Sequence, residues 1–187
     1  MNTEEMQDYY RSFNKIKLWN EITNQILNFG IRYTNPSLAD YVDMNCGGIP
    51  EGDFEQVVDI NAPQQFISMY MSIVENRFAF VVSALLSVTK DFLTPIQNFC
   101  QTVGTGLNIK NIDTLEKAHQ IMKDFLLDGN HKEAWEKANG DLAVFYNLEE
   151  FFLNGLFSES DFTASVSSTG DVKLKKENKQ TTHSAVT

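Results

Sequence analysis

Apolar residues recur at spacings of three and four along most of the chain, and two-residue alternation is confined to a short stretch near its end. Met6, Tyr9, Phe13, Ile16, Trp19, Ile22, Ile26 and Phe29 form one continuous stripe, which predicts a long amphipathic first helix. Thr3 is its candidate N-cap, Glu4 and Glu5 complement the helix dipole, and Gly30 is the expected stop.

A second helix is expected to open near Asn61 or Ala62, with Pro63 in its first turn and Gln64 at the capping-box position. It continues through Phe66, Met69, Tyr70, Ile73 and Val74 into the run Phe78 to Val88, where only Ser83 and Ser87 are not apolar. A helix apolar on nearly every face has to be enclosed by other elements. Ser83 and Ser87, four apart, would let a neighbouring helix approach. Thr94, Pro95 and Gln97 form another cap signature, so the helix either kinks there or restarts at Pro95, and Gly104 and Gly106 are expected to end it.

Asp113 with Glu116 predicts a third start, followed by Leu115, Ala118, Met122, Phe125 and Leu126 and closed by Gly129. Asn130 with Glu133 predicts a fourth, carrying Ala134, Trp135 and Ala138. After Gly140, Asp141 caps a continuation through Leu142, Phe145, Tyr146, Leu148, Phe152, Leu153 and Leu156. Capping signals repeatedly placed ahead of periodic apolar runs support one another. The expected fold is all-α, a bundle of five or six helices forming a single domain over residues 1–157.

Two segments depart from this periodicity. Between Ile31 and Ala62 the pattern supports a short helix from Leu38 to Met44 and a weak strand over Phe54 to Ile60, within a long irregular acidic loop. From Ser158 onward the composition turns to Ser, Thr, Lys, Asn and Gln, which predicts a polar, disordered tail over 158–187. A competing pattern exists inside that tail. Phe162, Ala164 and Val166 face Val172 and Leu174 across Thr169-Gly170-Asp171, as in a hairpin.

Charge sharpens the picture. The net charge is −10, and the tail from Ser158 holds four acids against four lysines, so the whole excess lies in the helical body. No Lys or Arg occurs between Arg32 and Arg77, whereas Asp40, Asp43, Glu51, Asp53, Glu55 and Asp59 all do. Such a segment repels nucleic acid and suits a basic protein surface, or is simply a solvated loop. Direct nucleic-acid binding is not expected. The eleven-residue apolar run falls short of the ~20 residues a membrane span needs, so no transmembrane segment is expected. With no secretory signal and only Cys46 and Cys100, the expected setting is intracellular or virion-associated.

Catalytic and metal-binding motifs are sparse. Asp43, Asn45 and Gly48 match the first, third and sixth positions of a calcium loop, but Phe54 stands where the bidentate Glu belongs. Cys46 lacks a base near it in sequence, Cys100 sits in an apolar helical setting, and Glu116 with His119 is an isolated pair. No cofactor, metal site or catalytic residue is therefore assigned. A cluster of Cys46 with His119 or His131, or several carboxylates around one cavity, would argue for an enzyme.

The expectation that remains is a non-enzymatic helical subunit acting by protein contact or self-association, such as a viral or phage structural or accessory protein. Tyr10, Leu18, Trp135, Phe145, Tyr146, Phe151 and Phe152 are its candidate aromatic and apolar anchors. The alternative is an acidic inhibitor or chaperone that docks a basic surface through residues 33–76. Ionic strength separates the two, because charge-driven docking weakens with salt and apolar assembly does not.

Overall fold

Trp19 lies at the centre of a computed structural model that describes residues 3–177. Its ring meets Phe78 edge-on at 5.2 Å and tilts against Phe152 at 5.3 Å and Phe145 at 6.3 Å. Its indole N–H donates to the Phe125 carbonyl at 2.8 Å, so the one polar atom of the ring is satisfied in the interior. Four elements thus meet on one side chain.

Among the described residues there are eight α-helices and one two-stranded sheet. α1 (Thr3–Tyr33) packs along α4 (Pro63–Val88), and α4 is flanked by α2 (Leu38–Cys46) and α7 (His131–Lys137). α5 (Leu93–Gly106) lies against α8 (Leu142–Leu156), while α6 (Leu115–Phe125) leans on α1. α3 (Phe54–Val57) is a single turn, and β1 (Phe162–Val166) pairs antiparallel with β2 (Val172–Lys176). The fold is mostly helical, as the periodicity predicts.

α4 is long and apolar enough to cross a bilayer by length and composition, a property its eleven-residue apolar core understates. In this fold 56% of its most apolar 18-residue window is buried inside the protein. Val74, Ala79, Val81, Val82 and Leu85 have no exposed surface.

Several boundaries differ from the sequence reading. α1 does not stop at Gly30 but runs through it to Tyr33, because Gly30 gives room to Leu85, whose methyl would lie 2.5 Å from a Cβ there. The long helix ends at Val88, before Pro95. Thr89 turns extended and its side chain accepts from the Asp91 N–H, starting a 3₁₀ turn that leads into α5. Thr114, not Asp113, caps α6 and accepts from the Lys117 N–H at 3.2 Å. Asn130 and Asp141 cap α7 and α8 as expected.

The loop and tail also need correction. Phe54–Val57 is a helical turn in place of a strand, because Phe54 buries against Phe13 and Tyr10 of α1. Within the acidic connection, α2 is the short helix expected from Leu38 to Met44, running on to Cys46, and α3 is the unexpected element. The expected disorder over the tail gives way to the alternating pattern at 162–176, where Phe162 and Ala164 are buried against the body. The remainder of that tail, 178–187, lies outside the described residues.

β1 reaches the body through hydrogen bonds that apolar patterning does not encode. Asn154 of α8 accepts from the Ala164 N–H at 2.9 Å and donates to the Ala164 carbonyl at 2.9 Å. Glu150 accepts from the Val166 N–H at 2.8 Å. These two side chains substitute for a third strand along the β1 edge.

Candidate functional site

The six acids from Asp40 to Asp59 all face outward, at separate places on the body. On α2, Leu38 and Val42 point inward and are buried, so the 100° step per residue turns Asp40, Tyr41, Asp43 and Met44 toward solvent. Tyr41 is 50% exposed and Met44 74%, unusual values for large apolar side chains on a short helix. Tyr33, 65% exposed, ends the preceding helix.

The six acids named from the sequence are all exposed, but they are not equivalent. Asp43 pairs at 2.5 Å with Arg77, a buried guanidinium that also donates to the Gly47 carbonyl at 2.5 Å. Glu55 accepts from the Tyr10 hydroxyl, a contact that lowers its pKa and raises that of the tyrosine. Asp53 is the N-cap of α3, and Asp59 accepts from the Asn61 N–H at 2.9 Å. Asp40 and Glu51 make no hydrogen bond or ion pair among the described residues. Four acids therefore make side-chain contacts; Asp40 lies in the first turn of α2, where it complements the helix dipole, and Glu51 makes no such contact.

The candidate anchors read from aromatic content are placed elsewhere. Trp135, Phe145 and Phe152 are at most 2% exposed, and Tyr146, Phe151 and Leu18 pack partly buried against the same core. Tyr10 stacks on Phe54 at 4.3 Å and remains exposed. All but Tyr10 pack into the core; on α2 the exposed apolar side chains are Tyr41 and Met44, which their spacing of three marks only once the inner face of that helix is known.

A second cluster lies in the interior. Glu75 of α4, 5% exposed, places Oε1 2.9 Å from Nδ1 of His131 at the start of α7. The contact lies off the hydrogen-bond axis, and Oε1 has no hydrogen-bond partner. Both oxygens press against Gly129, where a Cβ would collide with them. On the other side of His131 is Glu149 of α8, whose pKa burial pushes up to about 7, with the His131 charge opposing the rise. The imidazole also lies 4.3 Å from the Phe145 ring.

These groups separate two clefts that share Asp128. Glu75, Asp128, Glu133 and Lys137 line one of about 320 Å³. His119, His131, Tyr146 and Glu149 line the other, about 610 Å³. Asp128 pairs with the buried Lys15, and Glu133 with Lys137 at 2.5 Å. Glu75, Asp128 and Glu133 thus line one cavity, the arrangement named above as arguing for an enzyme, but Asp128 and Glu133 are each tied to a lysine and no pair of free carboxylates is left to act as acid and base.

The cysteines offer less. Cys46 has its pKa raised by burial, with Arg77 opposing, and its cleft contains no histidine. Cys100 is fully buried, and desolvation pushes its thiol up to about 12. Neither is a ready nucleophile. Among the described residues no three His, Cys, Asp or Glu side chains converge to hold a metal ion. Compared with protein-family models, with curated proteins and with solved structures, the chain gives no match in any of the three.

Proposed function

We propose that this protein works by binding rather than catalysis, using the outer face of α2 and the acidic segment around it to dock a basic protein partner. The exposed Tyr41 and Met44 beside Asp40 and Asp43 carry the proposal. An apolar centre supplies contact area that excludes water, and an acidic surround selects a partner with Lys or Arg at its rim. Two copies of this face would repel each other, which favours a different protein as the partner.

Peptide-display selection on the folded protein tests this reading. Selected peptides should combine aromatic or aliphatic residues with Lys or Arg. They should lose binding to a Tyr41→Ser, Met44→Ser double variant and weaken steeply between low and high salt. Asp40→Asn with Glu51→Gln should slow association with little change in the fold, since neither side chain makes a hydrogen bond or ion pair and Asp40 adds only its charge at the start of α2. Peptides that bind the double variant as well as the native chain would overturn the proposal.

A second reading, head-to-tail self-assembly, is favoured by Lys173, Lys175 and Lys176, all exposed on β2, the outer strand of the hairpin. One copy's lysine-rich strand could meet the acidic face of the next. Light scattering at low and high salt decides it: an invariant monomer leaves hetero-partner docking alone.

A further inference from the structure

The larger cleft, beside the hairpin turn, is walled by a carboxylate that the fold does not compensate, and this observation is independent of the α2 face. Glu149 of α8 is 5% exposed and, among the described residues, accepts no hydrogen bond and joins no ion pair. Its oxygens are not sealed: unlike Oε1 of Glu75, neither is among the buried atoms cut off from solvent. Glu149 lines the cleft, so this is the space into which its oxygens open.

The charged and titratable groups around Glu149 leave it unmatched. His131 of α7 exerts the main opposing charge, but its Nδ1 is turned to Glu75 of α4. Asp128, at the corner joining α6 to α7, is held by Lys15 of α1. His119 and Lys123 of α6 are exposed on the cleft wall and pair with no carboxylate among the described residues. Tyr146 lies on α8 itself, and the hairpin brings only the uncharged Thr169, Gly170 and Val172. Burying a carboxylate without donors is costly, and a cation delivered from the cleft would relieve that cost.

We propose that this cleft binds a ligand carrying a guanidinium group, with the planar cation forked onto the two oxygens of Glu149. Three features select this chemistry. Two free oxygens on one carboxylate match the paired N–H donors of a guanidinium, a geometry that a point-like ammonium lacks. A guanidinium is also more weakly hydrated than an ammonium, so it costs less to bring against a nearly buried group. Met122, Leu126 and Val172 supply an apolar wall for its stem, and Tyr146 adds an aromatic ring beside the carboxylate. At about 610 Å³ the cleft falls within the usual range of small-ligand sites.

Calorimetric titration of the full chain with n-butylguanidinium, n-butylammonium and the neutral n-butylurea tests the assignment at constant ionic strength. The guanidinium should bind at one site and more tightly than the ammonium, and the urea should not bind. Burial raises the Glu149 pKa to about 7, so its ionised fraction, and guanidinium affinity with it, should rise about tenfold from pH 6 to pH 8. Proton loss from His131 and His119 acts in the same direction, and Lys123 stays charged throughout. Glu149→Gln should weaken binding at pH 8 at least about tenfold and remove most of the pH dependence. The Asp40→Asn, Glu51→Gln variant should bind as the native chain does, which separates this site from the α2 face. A Gly-Arg-Gly peptide blocked at both ends identifies the source, and either result upholds the site: tighter binding than n-butylguanidinium assigns an arginine of a protein, weaker binding a free small molecule. Absence of guanidinium binding at pH 8, binding that Glu149→Gln retains, or an ammonium that binds equally well overturns the proposal. So does an affinity that is flat from pH 6 to pH 8, the mark of surface carboxylates, which with ordinary pKa values near about 4 are ionised throughout.

Discussion

The Glu75 carboxylate occupies the place a Cβ of residue 129 would take, so Gly129 fits beneath it only because it has no side chain. This contact fixes the turn between α6 and α7 against α4. Gly129→Ala should therefore push aside the flexible end of the Glu75 side chain and destabilise the fold by about 1 kcal/mol, the low end of overpacking losses. Adding Glu75→Ala should recover much of that loss, because the two residues occupy one space. A double-mutant cycle by urea denaturation measures the coupling; additive effects would refute the contact.

Glu149 gives the fold a pH dependence of defined sign. Its native pKa of about 7 lies above the ordinary value of 4.5, so the native state holds a proton that the unfolded chain has released between those values. Stability contributed by this group falls as pH rises through that window and is lowest above about pH 7. At about 1.4 kcal/mol per unit, the penalty approaches about 3 kcal/mol. Glu149→Gln should then be more stable than the native chain at pH 8 and nearly equal to it at pH 4.5. Melting temperatures across this range test the sign; a variant that is less stable at pH 8 would contradict it.

α5 and α8 cross at two glycines, of which the sequence reading takes Gly104 as a helix stop. A Cβ at Gly104 would strike the Phe152 carbonyl, and one at Gly155 would strike the Gln101 carbonyl. Each glycine admits the other helix's backbone, and neither obstacle is a side chain that can rotate away. Gly155→Ala should cost about 3 kcal/mol, near the upper end of overpacking losses. The denaturation midpoint should fall with little change in slope, and a change below about 0.5 kcal/mol would contradict the close crossing.

This explains which parts of the fold were legible. Apolar stripes and caps are local, so α1, α4, α7 and α8 can be read from residues a few positions apart, with Asn130 and Asp141 marking starts. Gly30 and Gly104 carry the same symbol as a helix stop, but their role is set by Leu85 and Phe152, distant in sequence. Ser83 illustrates the mixed case: it does sit in a close contact, against Gly140 and Trp135, whereas Ser87 faces solvent. The acidic segment was visible as composition, but its division into structural acids and the pair Asp40 and Glu51 required Arg77, Tyr10 and Asn61 to be placed. The Glu75, His131, Glu149 cluster draws on three helices and left no local signature.

The hairpin makes the same point from the polar side. Strand alternation alone could not decide between order and disorder at 162–176, because two isolated strands are marginal in water. Asn154 tips the balance, with its amide reading both the N–H and the carbonyl of Ala164 while Glu150 holds Val166. Asn154→Ala should leave two edge groups of β1 without their partner and cost about 1–3 kcal/mol locally. Because the helical core does not depend on that contact, the loss should appear as local opening: faster amide exchange at Ala164 and its strand neighbours, and faster proteolysis between Ser158 and Glu177. Helical circular dichroism and exchange within α4 should stay unchanged. If exchange rose equally in α4, the hairpin would be part of the cooperative core, and Asn154 would be holding the whole fold together instead of one strand.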